Sequence, residues 1–179
     1  MTDRNALMNL LDYLPVVPDF PKLGIMFRDI SPLLANADAF QEATRQLAQV
    51  SENLEFTHLL GIESRGFIFG AALANHLSKP LVLARKPNKL PLEVHQESYG
   101  LEYGSDLLEM QKTILPKDAK VLLIDDVLAT GGTLLAAAKL VKKSGATVSG
   151  AITLLEICFL AGLQKLADQG IQAKSVIQI

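Results

Sequence analysis

Residues 121–133 read VLLIDDVLATGGT, and this stretch indicates both the fold and the place of a binding site. Its first four residues, 121–124, are apolar and predict a buried strand. Two adjacent carboxylates, a run of small residues and a predicted helix over 131–143 follow in direct succession. In an open parallel sheet, ligands bind where strands end and helices begin. The stretch therefore predicts a binding site at a strand-to-helix turn.

The residues after the predicted strand indicate the kind of ligand. Thr130-Gly131-Gly132-Thr133 combines hydroxyls with glycines, whose backbone N–H groups can approach an anion closely at a helix N-terminus. The pattern is neither the Walker loop nor the dinucleotide-binding glycine motif. Asp125 and Asp126 would repel a phosphate, so we expect them to accept hydrogen bonds from a neighbouring diol such as a ribose. The segment thus predicts a ligand with a phosphate beside a diol.

Strand-like and helical patterns alternate through most of the chain. Further apolar strands are predicted at 58–62, 81–84, 148–155 and 175–179, and further helices at 66–77 and 162–167. Continuous apolar strands separated by helices are typical of a mainly parallel sheet that is covered on both faces. We therefore predict an α/β fold with a mainly parallel central sheet flanked by helices, in a single domain over residues 1–179.

The N-terminal segment, residues 1–34, has a different pattern. Leucines at helical spacing predict a short amphipathic helix: Leu7, Leu10, Leu11 and Leu14. The prolines that follow end this helix and predict an irregular, extended segment up to Gly24: Pro15, Pro18 and Pro21. Beyond this segment, a helix is predicted to start at Asp38, with Gln41 completing a capping box.

Residues 85–106 also interrupt the alternation. They are rich in Lys, Pro, Glu, Gly and Tyr, and carry only one short strand-like run, at 99–103. A loop of this length within a compact domain is typical of a lid over a functional site. The alternative is a disordered insertion without a role in binding.

Composition and charge exclude several classes of protein. The chain has 49% hydrophobic and 20% charged residues, and its net charge of −2 argues against a nucleic-acid partner. No run approaches the roughly 18 apolar residues that span a bilayer, and no secretory signal is recognisable, so we expect a cytoplasmic protein. Cys158, in an apolar context, is expected to be a small core residue. The scattered histidines and Cys158 have no metal-ligand spacing.

The stretch at 121–133 resembles the phosphoribosyl-pyrophosphate (PRPP) signature of the type I phosphoribosyltransferases. By this resemblance, Asp125 and Asp126 hold the ribose hydroxyls. The residues after them bind the 5-phosphate: Ala129, Thr130, Gly131, Gly132 and Thr133. Together, the matching motifs span about Val17 to Ile157.

A second turn, residues 61–67, reads GIESRGF and offers backbone N–H groups, a guanidinium from Arg65 and a flexible glycine, Gly66. Such a set suits a pyrophosphate. The turn resembles the family's pyrophosphate loop, which implies that Glu63, Ser64, Arg65 and Gly66 bind PRPP and that the Glu63–Ser64 peptide is cis.

The 85–106 segment resembles the flexible loop of the family members that act on adenine. Arg85, Lys86 and Lys89 could neutralise the departing pyrophosphate, and closure would keep water from an activated ribose. The resemblance makes Glu102 the acid/base group near a purine ring nitrogen, and we assign it a catalytic role together with Arg65.

Residues 17–32 resemble the N-terminal hood of the same subfamily, although Lys22-Leu23 stands where a second proline is common. By this likeness Met26, Phe27 and Arg28 bind the base, with Phe27 stacking on it, and Ile157 closes the base site.

The resemblance as a whole implies a reaction of adenine with PRPP that gives AMP and pyrophosphate. It implies Mg²⁺ held mainly by the substrate and without a dedicated protein cage, and it implies a homodimer. One alternative is a phosphoribosyltransferase for another purine, such as xanthine, guanine or hypoxanthine. Another is a non-catalytic PRPP-binding regulator, but the residues before Asp19 are too few for a DNA-reading unit.

Overall fold

The computed structural model describes residues 8–100 and 106–179. The chain divides into two compact units, residues 1–46 and 47–179. The expectation of a single domain over residues 1–179 stays a prediction.

The first unit is built from short elements. A 3-10 turn at Leu10–Tyr13 precedes two antiparallel strands and a short helix, and a longer helix extends past the end of the unit. These elements are β1 (Val16–Pro18), β2 (Met26–Arg28), α1 (Ser31–Ala35) and α2 (Ala37–Ser51). The apolar side chains of Leu10, Leu14 and Leu33 are buried.

Two predictions for this unit are corrected by the structure. In the described part of the predicted N-terminal helix, only the 3-10 turn forms, because Asn9 caps it by accepting from Leu11 N–H (3.2 Å) and Pro15 follows at once. The segment predicted as irregular up to Gly24 is a hairpin instead. Its turn is closed by Gly24 N–H, which donates to Asp19 Oδ1 at 2.7 Å, and Gly24 takes a φ of 84° that suits glycine.

The predicted start of the longer helix is also wrong. Helix α2 begins at Ala37, and the side chain of Asn36 accepts from Ala39 N–H at 2.9 Å. Asn36, and not Asp38, therefore satisfies a free N–H of the first turn. Asp38 lies within that turn, where its negative charge still favours the helix dipole.

The second unit contains a five-stranded parallel sheet, a two-stranded antiparallel ribbon and three helices among the described residues. Its strands are β3 (His58–Ile62), β4 (Leu81–Ala84), β5 (Val94–Tyr99), β6 (Asp106–Gln111), β7 (Lys120–Leu128), β8 (Thr147–Glu156) and β9 (Ala173–Gln178). Its helices are α3 (Arg65–Leu77), α4 (Gly132–Lys143) and α5 (Gly162–Ala167). The sheet order is β4-β3-β7-β8-β9, which confirms the predicted α/β fold with a parallel central sheet.

The direction of the chain across the sheet reverses between β3 and β7. The β3–α3–β4 unit extends the sheet to one side and the β7–α4–β8 unit extends it to the other, so right-handed crossovers place α3 and α4 on opposite faces. The packing agrees, because Gly70 of α3 lies against Ile124, whereas Val121 and Leu123 join the buried cluster that includes α4. Such a reversal opens a crevice at the carboxyl ends of the two central strands.

The segment predicted as a lid loop contains a strand. Residues 94–99 form β5, which pairs with β6 from Val94↔Gln111 to Tyr99↔Asp106. The sequence pattern missed β5 because the strand is polar and is defined by backbone pairing and by its packing on α4. Lys143 Nζ contributes to that packing, 2.8 Å from Glu97 Oε1. Residues 101–105 lie outside the described residues, so the strand-like run predicted at 99–103 is seen only at its start.

Two smaller predictions also fail. Strand β7 does not end at Ile124 but continues through both aspartates, since Val127 and Leu128 still pair with β8. Cys158 is exposed, in a 3-10 turn at Cys158–Leu160 after β8, and is not a core residue. Among the described helices, none has the length and apolar character needed to cross a membrane.

We expect Leu123→Ala to reduce the free energy of unfolding by about 2–5 kcal/mol, because it opens a cavity in the central strand where Leu123 is fully buried. Urea denaturation of the purified variant measures this loss. Leu83→Ala, the same change on edge strand β4 at a side chain with 36% exposure, should cost clearly less. Equal losses of stability in the two variants would show that Leu123 contributes no more to the core than Leu83.

Candidate active site

The ends of β3 and β7 bring two sequence motifs side by side. The two strands pair in parallel, with Gly61 opposite Ile124. Strand β3 ends at Ile62, and the turn that starts α3 lies next to Asp125, which is still part of β7. The Glu63–Ser64 peptide bond in that turn is cis, as the resemblance implied. Ser64 is exposed, and its hydroxyl makes no capping bond to α3.

Gly66 is required here for a reason different from the predicted one. Its backbone does not adopt a left-handed conformation. A Cβ at this position would lie 2.8 Å from Asp125 Oδ1 and 2.9 Å from the Ile124 carbonyl oxygen, which is closer than real Cβ contacts. Gly66 therefore lets the first turn of α3 approach the end of β7 directly, and so fixes the position of the Asp125 carboxylate.

The two aspartates form a pair of adjacent carboxyl groups, of which Asp126 is buried and Asp125 is partly buried. Asp126 N–H donates to Asp125 Oδ1 at 2.9 Å, and Asp126 Oδ2 is ion-paired to Arg65 Nε at 2.8 Å. Burial raises the pKa of Asp125 well above its ordinary value, and the neighbouring Asp126 charge adds to this effect. Burial also raises the pKa of Asp126, against the opposing influence of Arg65. Asp126 Oδ2 is enclosed by the protein, and the Arg65 guanidinium is its ion-pair partner.

Glu63 has the opposite electrostatic environment, although its side chain is only 6% exposed. Its carboxylate accepts from Lys89 Nζ, from Lys86 N–H at 2.8 Å and from Arg85 Nε at 3.3 Å. Burial alone would raise the pKa of this carboxyl, but the hydrogen bonds and the Arg85 charge outweigh it and hold the pKa at about 2. Glu63 is therefore ionised at neutral pH.

The predicted cations lie together on one turn, residues 85–89, which we call the cation turn. Arg85 Nη1 closes this turn by donating to the Lys89 carbonyl at 3.0 Å, and both side chains reach Glu63. The Lys86 backbone N–H also binds Glu63, while Lys86 as a whole is exposed. The structure thus brings Glu63, Arg85 and Lys89 into contact at the end of β3. That these residues bind PRPP stays a prediction.

The segment after β7, residues 129–133, is a turn into α4 at the position where an anion site is predicted, and we call it the phosphate turn. Gly131 caps α4 with a φ of 77°, a left-handed conformation that favours glycine. Thr130 is exposed, and Gly132 and Thr133 begin the helix, so the free N–H groups of its first turn lie next to the hydroxyls. A Cβ on Gly132 would be 4.0 Å from Tyr99 Cβ, which places β5 beside this turn.

Gly162 supports the phosphate turn from α5, and sequence analysis missed this role. A Cβ on Gly162 would overlap the Ala129 carbonyl oxygen and lie 3.0 Å from Gly131 N. The two backbones are therefore in direct contact. In the sequence, Gly162 is only a small residue at the predicted start of a helix, with nothing to relate it to residues 129–131.

Tyr99 is a second residue that the prediction of the site omitted. Partial burial raises the pKa of its hydroxyl, and the negative charges of Asp106, Asp125 and Glu63 raise it further. Its phenol therefore stays protonated and can donate a hydrogen bond near the aspartate pair.

The predicted base-binding residues are placed separately. Met26, Phe27 and Arg28 form β2 in the first unit, where the Phe27 ring meets the Phe20 ring edge-on at 5.0 Å. Arg28 Nη1 donates to the Leu14 carbonyl at 2.9 Å. Ile157 follows β8 in the second unit, and its N–H binds the Leu128 carbonyl at 2.9 Å. Glu102 lies outside the described residues.

Comparison with known proteins identifies the family. The model of the phosphoribosyl transferase domain matches residues 29–177. An adenine phosphoribosyltransferase of Polynucleobacter necessarius subsp. necessarius is 65% identical over 171 residues, which are 96% of this chain and 99% of that protein.

Solved structures agree with this assignment. Adenine phosphoribosyltransferase from Thermoanaerobacter pseudethanolicus has 42% identity and a TM-score of 0.92, covering 97% of this chain and 100% of that one. The enzyme from Trypanosoma brucei, in complex with AMP, pyrophosphate and ribose-5-phosphate, has 28% identity and a TM-score of 0.85, covering 94% of this chain and 77% of that one. The chain belongs to the adenine phosphoribosyltransferases, within the phosphoribosyl transferase domain family.

Proposed function

We propose that this chain transfers the 5-phosphoribosyl group of PRPP to adenine, giving AMP and pyrophosphate. The proposal rests on one observation: three groups of residues lie at the β3–β7 reversal. They are the aspartate pair, the phosphate turn and the cations held by Glu63. These parts match a ligand with a phosphate, a diol and a pyrophosphate. Family membership favours adenine as the base, and the Trypanosoma brucei relative binds the products of this reaction.

The ribose and its phosphate are assigned to the β7 side of the site. Asp125 and Asp126, adjacent carboxylates of β7, accept hydrogen bonds from the ribose hydroxyls. Backbone N–H groups and hydroxyls of the phosphate turn hold the 5-phosphate, with α4 contributing the positive end of its dipole. Both ends of the ribose phosphate are thereby fixed relative to one rigid strand.

The pyrophosphate is assigned to the β3 side. When the C1–O bond breaks, its electron pair leaves with the pyrophosphate, and a ring nitrogen of adenine forms the new bond to C1 and gives up its proton. Arg65, Arg85, Lys86 and Lys89 offset the charge that gathers on the leaving group, together with backbone groups at Ser64 and Gly66. Because Glu63 is ionised, it holds Arg85 and Lys89 close to this position. The acid/base role of Glu102 stays a prediction.

Phosphoribosyltransferases generally use the magnesium complex of PRPP. Within residues 8–100 and 106–179, no group of three or more His, Cys, Asp or Glu side chains is placed to hold a metal ion. The aspartate pair carries two carboxylates beside Arg65, so it suits a cation that the substrate brings and that PRPP oxygens hold in the main. Such an ion would offset negative charge on the pyrophosphate.

The base is assigned to Met26, Phe27 and Arg28, which form β2 of the first unit. The role of Ile157 stays a prediction. Adenine presents an amino donor beside a bare ring acceptor, whereas hypoxanthine and guanine present a carbonyl beside an N–H. The backbone of the β1–β2 hairpin offers fixed N–H and C=O groups, which can match only one of these patterns.

The homodimer and the cytoplasmic location stay predictions as well.

The experiment that tests the proposal is a comparison of kcat/KM for adenine, hypoxanthine, guanine and xanthine with PRPP and Mg²⁺. We expect a preference for adenine of about 10⁴-fold or more, because a wrong base leaves unpaired polar groups in a dry site. Phe27→Ala should weaken the use of adenine without inverting the preference. Use of hypoxanthine or xanthine as well as adenine would make the chain a phosphoribosyltransferase of broader or different base specificity.

The double change Asp125→Asn and Asp126→Asn should abolish PRPP binding without unfolding the protein. Each lost charge-assisted bond costs about 1.5–3 kcal/mol of binding. Burial disfavours the charged form of both carboxyls, so neutral amides of the same shape should not lower stability. Calorimetric titration with PRPP and Mg²⁺, beside urea denaturation, measures both quantities. Normal PRPP affinity in the folded variant would contradict the ribose assignment.

Gly162→Ala should weaken the binding of AMP, because the added methyl group pushes the Ala129–Gly131 backbone out of place. The titration uses AMP, which carries the 5-phosphate, and far-UV circular dichroism checks the fold. Lys165→Ala, at an exposed position on the same short helix, is the matched control and should bind AMP normally. Equal affinities for all three proteins would show that α5 does not shape the phosphate turn.

A further inference from the structure

Glu109 is a buried carboxylate that the chemistry proposed above does not use. It lies on β6 and is 3% exposed. Its neighbours Leu108 and Met110 point into the apolar cluster around α4, so Glu109 faces the other side of the ribbon. A carboxylate is seldom kept at such a position unless its oxygens are hydrogen-bonded.

Both oxygens of Glu109 are used. Oε2 accepts from the Asn88 backbone N–H at 3.0 Å, and Oε1 accepts from Gln96 Nε2 at 2.6 Å. Asn88 takes a φ of 64°, an uncommon left-handed conformation for a residue other than glycine. The carboxylate thus holds the cation turn at its least favourable residue, and ties it to β5 through Gln96.

The backbone of Glu109 holds the other end of the same turn. Arg85 and Glu109 exchange both of their backbone hydrogen bonds, at 2.8 and 2.7 Å. Arg85 then closes the turn by donating to the Lys89 carbonyl at 3.0 Å. Every described contact of Glu109 therefore fixes either residues 85–89 or the strand beside them.

The position of the cation turn decides where its charges lie. Arg85 and Lys89 both reach Glu63, and Lys86 joins them through its N–H. Lys89 directly follows Asn88, so a shift of the Asn88 backbone moves the ammonium group as well. A misplacement of about 1 Å at a reacting centre can cost a factor of 10² in rate.

We propose that Glu109 is a positioning residue, which sets the conformation of the cation turn and thereby the affinity for the pyrophosphate end of PRPP. The inference rests on the proposed function, because it takes Arg85, Lys86 and Lys89 as pyrophosphate ligands. Glu109 does not touch the substrate. It acts mainly through hydrogen-bond geometry, since both of its partners, a backbone N–H and an amide, are neutral and its charge only strengthens the two bonds.

This reasoning separates three substitutions. Glu109→Leu removes both acceptors, and Glu109→Asp is too short to reach both partners. Glu109→Gln retains one acceptor for Asn88 N–H, and its own NH₂ can donate to Gln96 once the Gln96 amide turns over. Gln111→Leu is the matched control, because Gln111 lies on the same face of β6 and donates to the Pro91 carbonyl outside the cation turn.

The test measures the Kd of inorganic pyrophosphate with Mg²⁺ by calorimetry, and the KM of PRPP and of adenine, for the wild type and each variant. For Glu109→Leu and Glu109→Asp we expect the pyrophosphate Kd and the PRPP KM to rise about 10-fold or more, with little change in the KM of adenine. Glu109→Gln and Gln111→Leu should stay close to wild type. If Glu109→Leu does not fold, Glu109→Asp decides.

Unchanged pyrophosphate affinity in the folded Leu and Asp variants overturns the inference, and so does an equal loss in the Gln variant. A loss of stability without any change in the PRPP KM also overturns it, because Glu109 would then only hold the ribbon together. Failure of the proposed function is distinguishable, since it shows in the wild type as the absence of AMP from adenine and PRPP.

Discussion

Taking a carboxylate out of water costs several kcal/mol unless cations or hydrogen-bond donors replace the lost hydration. The second unit buries four carboxylates around the reversal between β3 and β7: Glu63, Glu109, Asp125 and Asp126. Each one needs partners, and the partners come from neighbouring turns.

The lost hydration of the carboxylates is compensated differently at the ends of β3 and β7. At β3, Glu63 gathers Arg85 and Lys89, so its pKa is lowered to about 2 and the charge is compensated. At β7, burial raises the pKa of both aspartyl groups, because Arg65 does not balance the pair. One side of the crevice is therefore rich in cations, and the other carries two carboxyl groups whose charged forms are disfavoured by burial. This asymmetry matches a substrate with an anionic leaving group on one side and hydroxyl donors on the other.

Much of this arrangement is predictable from the sequence. The β7 stretch and the GIESRGF turn each combine charged side chains with glycines within a few residues. The residue pattern alone therefore identifies Asp125, Asp126 and Arg65 as candidates for the site. The alternation of apolar strands and helices predicts the parallel sheet, because strands buried on both faces leave a pattern that few other structures share. Each of these features involves residues that are close together in the sequence, so a single sequence is enough to reveal it.

The features that sequence reasoning misses depend on distant partners. Strand β5 is polar and becomes a strand only by pairing with β6, and the need for Gly162 is decided by the backbone of Ala129, far away in sequence. In the sequence Glu109 resembles an ordinary strand residue, because its bonds to Asn88 and Gln96 join separate segments. The apolar neighbours of Cys158 predict a core residue, but β8 ends just before it and the chain turns outward.

Glu63 and Glu109 hold the same turn, yet they are not equivalent. The partners of Glu63 include an ammonium and a guanidinium group, so its negative charge is part of the interaction and an amide could not replace it. The partners of Glu109 are a backbone N–H and a neutral amide, so the number and direction of its acceptors matter more than its charge. One carboxylate therefore orders the charges of the cation turn, while the other orders its backbone. In the proposed binding of pyrophosphate the cation turn needs both carboxylates: Glu109 holds its backbone, and Glu63 offsets the repulsion between the charges of Arg85 and Lys89.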